Sequence, residues 1–335
     1  MIMKVNINNQ TLLSQSWIPR IGLGCMGMSG CYGQSDRTQG LKILDKAVEL
    51  GYRHFDTADM YGMGENEKLI GDFLKNQNRK KLFIATKFGI KPDTQGRLTR
   101  FIDGSRAYVK EALEKSLERL KLDYIDLYYV HRRDPSIPIE ETLGTLIELK
   151  QQGLIRGIGL CEVSLQTYKQ AVNIHPIDAL QSEYSLLSKE PENGILQACK
   201  ENGSTFVAYS PMSRGLLTGC LDANSIDKVG DVRKSFPRFS PENLHHNLGL
   251  LSALEELAKS KQCHLAQLAL AWVLHQGEHI HIIPGTRREK YLVDNFSSMH
   301  IELNHHELET LRTHFSKNQI IGTRYPEAAM SSING

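Results

Sequence analysis

A single (β/α)8 barrel, the TIM-barrel arrangement, is the fold this sequence predicts, and three observations predict it. Short apolar runs of strand length alternate with longer amphipathic runs through eight strand–helix units. The run Tyr124 to His131 is nearly all apolar or aromatic, as a parallel strand covered on both faces must be. Polar groups able to do chemistry fall at the C-terminal ends of these runs, where a barrel assembles its active site. No composition break divides the chain, so residues 1–335 read as one domain with a polar lead over 1–16 and a tail over 316–335. The length beyond about 250 residues is assigned to long loops on the C-terminal face and to extra helices.

The elements run in order along the chain. Ile21 to Gly24 is the first strand, and Asp36 precedes a helix to Leu50 with Leu41, Leu44, Ala47 and Val48 on its buried face. His54 to Asp56 is the second strand, Asn66 to Leu74 its helix, and Leu82 to Lys87 the third strand. Ser105 to Leu120 carries a helical stripe of Val109, Leu113, Leu117 and Leu120. The fourth strand, Tyr124 to His131, leads to a helix over Glu140 to Gln152 that Gly153 stops. Ile155 to Leu160, Ala179 to Glu183 and Thr205 to Tyr209 are strands five to seven, with helices after Ser164 and over Gly194 to Asn202. Thr218 to Asn243 has no period and is too long for a plain connector, so it reads as a functional loop. Helices come next over His245 to Lys259 and Leu265 to Gln276, then strand eight at His281 to Pro284 and helices over Glu289 to Phe296 and His305 to Phe315. The tail beyond is expected to be loosely held.

Composition narrows the function classes. With 23% charged residues and a formal net charge of +2, no basic surplus points to nucleic acid or to an anionic membrane. The start lacks the apolar core of a secretory signal, and no apolar run reaches the ~20 residues of a membrane span. Six scattered cysteines without a CxxC pair read as reduced thiols of a cytoplasmic protein. Oligomeric state is open, including a homo-oligomer.

The strand ends supply Asp56, Lys87, His131, Gln181 and Tyr209, with Tyr61 on the second loop. A phenol of ordinary pKa ~10 needs help to move a proton at neutral pH. A nearby ammonium lowers that pKa, and a carboxylate keeps the ammonium charged. Asp56, Lys87 and Tyr61 thus make a proton relay, while His131 can donate to a substrate carbonyl oxygen. Such a group protonates a C=O but lacks electrons, which a nicotinamide supplies. Each of these residues alone could equally be a paired core charge or wall packing; their convergence at one face carries the reading.

The segments FDTADMYG with NE after it, Lys87 after LFIAT, His131 after DLYYV, and IIPGTRREKYLVDNF at 282–296 resemble the aldo-keto reductase family from about Ile18 to Phe296. The runs LYYVHRRDPSIPIEETLGTL, QSEYSLLSKEPE and AYSPMSRGLLTG look closest to the branch of perakine-reductase-like and auxin-induced-type proteins of plants and their bacterial relatives. The resemblance implies a catalytic tetrad of Asp56, Tyr61, Lys87 and His131, with Tyr61 as general acid for reducing a small aldehyde or ketone by hydride from NADPH. It implies that Gln181 grips the nicotinamide carboxamide, that Tyr209 stacks on its ring, and that Ser210, Met212, Arg214 and Gly215 line the pyrophosphate. Gly285, Thr286, Arg287, Arg288 and Asn295 would take the adenosine phosphate and adenine edge, with Asp294 assisting. Two departures stand out: Cys161-Glu162 replace a Ser-Asn pair, and Tyr291 replaces an Arg whose place Arg287, Arg288 and Lys290 could fill. An Arg fork suits a 2′-phosphate and so favours NADP(H) over NAD.

Two motifs are discounted. Gly22-Leu-Gly24-Cys-Met-Gly27 spells GxGxxG, but the residues after it, Met-Ser-Gly-Cys-Tyr-Gly, cannot open a helix, so it reads as the first strand and its loop. His305-His306-Glu307 has Thr310 where a zinc helix needs its second His, so no metal is expected. Two other classes remain as alternatives to a reductase: a Schiff-base lyase with Lys87 as nucleophile, and a nicotinamide-binding regulatory subunit with slow activity. Substrate choice is assigned to loops 25–34, 90–104 and 218–243, with Trp17, Met26, Met28, Tyr32 and Phe88 as candidate apolar walls.

Overall fold

A computed structural model describes residues 11–92, 98–222, 226, 229–330 and 332–333. Most of the polar lead and short parts of the loops 90–104 and 218–243 lie outside the described residues. Eight parallel strands stand side by side in the order β1 (Leu23–Gly24), β2 (His54–Asp56), β3 (Phe83–Phe88), β6 (Ile125–Val130), β7 (Ile155–Cys161), β8 (Ala179–Glu183), β9 (Thr205–Tyr209) and β10 (Ile280–Ile282). The sheet closes on itself: the Gly22 N–H donates to the Ile282 carbonyl at 2.8 Å, the Ile282 N–H to the Arg20 carbonyl at 2.9 Å, and Ile21 bridges Ile282 in parallel. Every residue of β3 and β6 is buried, which explains their unbroken apolar run. A two-stranded antiparallel hairpin, β4 (Ile90–Pro92) with β5 (Leu98–Ile102), stands on the loop after β3; no alternation in the sequence announced it.

The seam explains the GxGxxG spelling. A Cβ on Gly24 would sit 2.6 Å from the Ile283 carbonyl oxygen, and one on Gly22 would sit 2.7 Å from the His54 ring. These glycines allow strands to close, and after Gly24 comes a short 3-10 turn, Met26–Ser29, in place of a phosphate-binding helix. The first strand is also shorter than expected, because Ile21 joins β10 only through its isolated bridge.

Helices cover the barrel where the pattern placed them: α1 (Arg37–Leu50), α2 (Glu65–Leu74), α3 (Arg106–Leu120), α4 (Ile139–Gln151), α5 (Leu165–Ile174) and α6 (Ile195–Asn202). Their starts are chemical. Asp36 accepts from the Thr38 N–H at 2.8 Å, and Ser164 accepts from the Thr167 N–H at 3.1 Å. The helix expected from His245 to Lys259 is two, α7 (Pro241–Gly249) and α8 (Ser252–Ser260). Leu250 and Leu251 are both buried, and consecutive residues of a regular helix point about 100° apart, so the chain breaks to turn both inward. Further helices are α9 (Leu265–Leu274), α10 (Glu289–Ser297), α11 (His305–Lys317) and α12 (Glu327–Met330). None of the described helices is long and apolar enough to cross a membrane.

Both ends of the chain depart from expectation. The polar lead carries a 3-10 turn, Leu12–Ser14, whose Leu13 is buried among Ile18, Phe83, Leu127 and Tyr129. Thr11 ties this plug to the barrel through a 2.6 Å hydrogen bond with Thr205. The tail is docked, not loose: the Ile321 N–H donates to Asn247 Oδ1 at 2.9 Å, and Arg238 Nε to the Gly322 carbonyl at 3.3 Å. Such bonds are invisible to a periodicity argument because they join polar atoms and leave no apolar spacing to read.

Candidate active site

The end of β2 places Asp56, the end of β3 Lys87, and the residue after β6 His131, all at the same mouth of the barrel. Tyr61 reaches this point from the loop after β2. That loop is held by Asn66, which is fully buried, accepts from the Thr57 hydroxyl at 2.6 Å and donates to the Cys25 carbonyl at 2.9 Å. Lys87 donates to an Asp56 carboxylate oxygen, to the Thr57 carbonyl at 2.8 Å and to the Tyr61 hydroxyl at 3.5 Å. An ammonium has three N–H groups, and these three acceptors use them all. No lone pair is available for attack on a carbonyl, which removes the physical basis for a Lys87 nucleophile. The second Asp56 oxygen accepts from Gln181 Nε2 at 2.8 Å. The rings of Tyr61 and His131 meet edge-to-face at 5.9 Å.

Electrostatics assign the protons. Burial opposes the charge on Lys87, but Asp56 and the Tyr61 oxygen outweigh it and keep the amine an ammonium. Burial pushes the Tyr61 phenol well above its usual value, with Lys87 pulling it down and Asp56 adding to the rise. The expected pull of Lys87 on the phenol is present, but its net direction is overturned because desolvation is larger. The consequence is a phenol that holds its proton at neutral pH, as a general acid must before transfer. Burial first, then the charges of Arg132 and Lys87, holds His131 well below its usual value, so it is a neutral imidazole.

These residues open onto a cleft of about 1230 Å3. Asp56, Tyr61 and His131 line it, and Lys87 lies beneath, fully buried. Gln181, Tyr209, Ser210, Met212, Arg214 and Gly215 also face this space. So do Gly285, Thr286, Arg287, Arg288, Asp294 and Asn295, which the rim at the start of α10 carries. The residues fit a dinucleotide phosphate on several counts. Asn295 Nδ2 is buried with no partner among the described residues, a donor waiting on the cleft wall. Arg288 is exposed at the rim beside the Tyr291 ring, 5.8 Å away. Gly285 lies so near the Gly24 carbonyl that a Cβ would stand 2.8 Å from its oxygen, leaving backbone to line the cleft there. Arg287 behaves otherwise than expected, since its fork donates to the carbonyls of Gln34 at 2.6 Å and Tyr32 at 2.8 Å. It clasps the first loop to the rim, which leaves Arg288 and Lys290, among the described residues of this rim, as the cations open to a 2′-phosphate. Trp17 and Phe88 are not cleft walls: Trp17 is 41% exposed elsewhere, and Phe88 is buried in a stack on Tyr128.

Reading the sequence missed what the tail does. Glu162, with φ of 53°, stands in the left-handed region directly after β7. It accepts from both terminal nitrogens of Arg324 at 2.9 and 2.8 Å and from the Glu183 N–H at 2.8 Å. Burial works against its charge, and Arg324 and Arg132 outweigh that, so the carboxyl is held below the usual range. Tyr325 is next in the chain, its hydroxyl 2.9 Å from that of Tyr209 and its ring 4.8 Å from the Arg214 guanidinium. The one signal in the sequence was Arg324-Tyr325 inside a polar tail. Cutting this latch with Arg324→Ala is expected to raise deuterium uptake over 320–330 more than about tenfold, with the barrel strands unchanged. Uptake equal to wild type would show that Glu162 is not what docks the tail.

Residues 20–315 match the model of the Aldo/keto reductase family. The aldo-keto reductase yakc (NADP+) of Schizosaccharomyces pombe is 41% identical over 322 residues, covering 94% of both chains. The solved glycerol dehydrogenase of Gluconobacter oxydans superposes with a TM-score of 0.82 at 25% identity, covering 91% of this chain and 94% of that one. A holo-form aldo-keto reductase of Bacillus halodurans gives 0.72 at 28% identity, covering 89% of this chain and 92% of that one. With this match over most of its length, and a barrel of the same build, the chain belongs to the aldo/keto reductase family.

Proposed function

We propose that this protein reduces aldehydes or ketones to alcohols with NADPH, reversibly, with Tyr61 as the general acid. The observation that carries the proposal is the buried chain Gln181–Asp56–Lys87–Tyr61, which ends in a protonated phenol at the cleft. NADPH bound in the cleft would supply the hydride that the residues themselves lack. Gln181, Tyr209 and the turn over Ser210 to Gly215 would hold its nicotinamide and pyrophosphate, and Asn295, Thr286, Arg288 and Lys290 its adenosine phosphate. His131, neutral, donates to the carbonyl oxygen and orients it; Tyr61 gives that oxygen its proton; Lys87, kept charged by Asp56, steadies the phenolate left behind. The tail residue Tyr325, against Tyr209, helps close the cleft from water. Nearness to the plant perakine-reductase-like and auxin-induced-type branch rests on the runs around His131, Gln181 and Tyr209.

NADPH consumption against a panel of aldehydes, ketones and quinones, with NADH in parallel, tests the proposal. Turnover with NADPH is the expected result, and binding of the nucleotide without turnover of any carbonyl would favour the regulatory alternative. Arg288→Ala combined with Lys290→Ala is expected to raise KM for NADPH about tenfold and leave KM for NADH level, because an exposed charge pair with a phosphate is lost. Equal effects on both nucleotides would remove the rim cations from phosphate recognition.

A further inference from the structure

Arg132 comes directly after His131, lines the same cleft and is 8% exposed. Its Nη1 donates to the His131 carbonyl at 2.7 Å, which fixes the plane of the guanidinium. That bond leaves the edge formed by Nε and Nη2, the edge that meets a carboxylate in two parallel hydrogen bonds. Neither nitrogen has a protein partner among the described residues, and neither is sealed from solvent, on a residue that lines the cleft. Glu162 is the acidic group near it, yet both oxygens of Glu162 are occupied by the Arg324 fork and the Glu183 N–H. No carboxylate of the described residues stands within ion-pair distance of Arg132. Arg214 and Arg233, which line the same cleft, do meet one: Arg214 reaches Glu183 at 3.4 Å and Arg233 reaches Asp231 at 2.6 Å. Neighbouring groups, Glu162 among them, support the Arg132 charge without bonding to it, so the two-donor edge itself is left without an acceptor.

We propose that Arg132 is a substrate-binding residue that takes a carboxylate, so that the carbonyl compounds this enzyme prefers are oxo acids. This rests on the reductase reading. The substrate's aldehyde oxygen lies between Tyr61 and His131, and its acid end reaches the neighbouring side chain on the same strand end. Short ω-oxo acids such as 4-oxobutanoate carry both groups on one chain and serve as the probe. The carboxylate stays unchanged through the reaction; it binds and orients.

The test is steady-state kinetics with NADPH on 4-oxobutanoate and its homologues against their methyl esters, in the wild type, Arg132→Met and Arg132→Lys. In the wild type kcat/KM for the acid exceeds that for the ester at least about tenfold, as expected for a two-bond Arg–carboxylate contact. Arg132→Met removes that preference, mainly through KM for the acid, so the acid-to-ester ratio falls toward one; Arg132→Lys restores part of it. The wild-type comparison stands by itself should Arg132→Met fail to fold: an ester reduced as well as its acid overturns the proposal while leaving the reductase reading intact. Equal loss on acid and ester in both variants also overturns it, since Arg132 would then act through His131. Wild type that reduces neither, while binding NADPH, sinks the reductase reading and this proposal with it.

Discussion

Replacing Tyr61 with Phe is expected to lower kcat for carbonyl reduction by about 10²- to 10⁴-fold while NADPH binds as before. The ring keeps its edge-to-face contact with His131, and the only group lost is the hydroxyl that Lys87 touches at 3.5 Å. Because burial keeps the wild-type phenol protonated well above neutrality, the reduction rate should also show no fall between about pH 6 and 8 that traces to Tyr61. Stopped-flow measurement of a single turnover, with nucleotide binding followed by fluorescence, checks both points. A chemical step in Tyr61→Phe within about tenfold of wild type would mean that some other donor protonates the oxygen.

The second large effect is on stability. Lys87→Met leaves Asp56 buried with Gln181 as its remaining side-chain partner among the described residues, and breaking a buried pair in this way costs about 3–5 kcal/mol. Its pH dependence has a definite sign. Without the ammonium, burial holds the folded-state pKa of Asp56 above the unfolded value of about 3.9. A carboxyl raised in this way supports the fold while protonated and loses that support as pH climbs through its folded pKa. The variant should therefore approach wild-type stability toward about pH 4 and fall behind it toward about pH 7. Denaturant melts at several pH values measure this. Adding Asp56→Asn should recover most of the stability without recovering activity, whereas a pH-independent deficit would show that lost packing, not the stranded carboxylate, sets the cost.

The strand ends were legible in the sequence because each side chain there sits next to an apolar run whose length and direction are fixed by burial. Asp56, Lys87 and His131 each stand at or beside the end of such a run, and a barrel sends all those ends to one mouth. Tyr61 was legible through its short distance from Asp56, although the loop that aims it depends on Asn66 and two buried hydrogen bonds. The hairpin of β4 and β5, the break between Leu250 and Leu251, and the inward plug at Leu13 were not legible. Each depends on which surface another part of the chain leaves uncovered.

Arg287 and Glu162 show the same limit at the site itself. Both are charged residues beside a dinucleotide cleft, and by type alone each looks like a ligand contact. Their partners are the Gln34 and Tyr32 carbonyls and the Arg324 fork, which lie 253, 255 and 162 positions away in the chain. By itself the sequence determined the barrel, its strand ends and the chemistry of the groups they carry, because apolar periodicity acts locally and repeats. Only the tertiary structure decided which charges are spent on each other and which still face the cleft, because a guanidinium binds whatever acceptor the fold brings within about 3 Å.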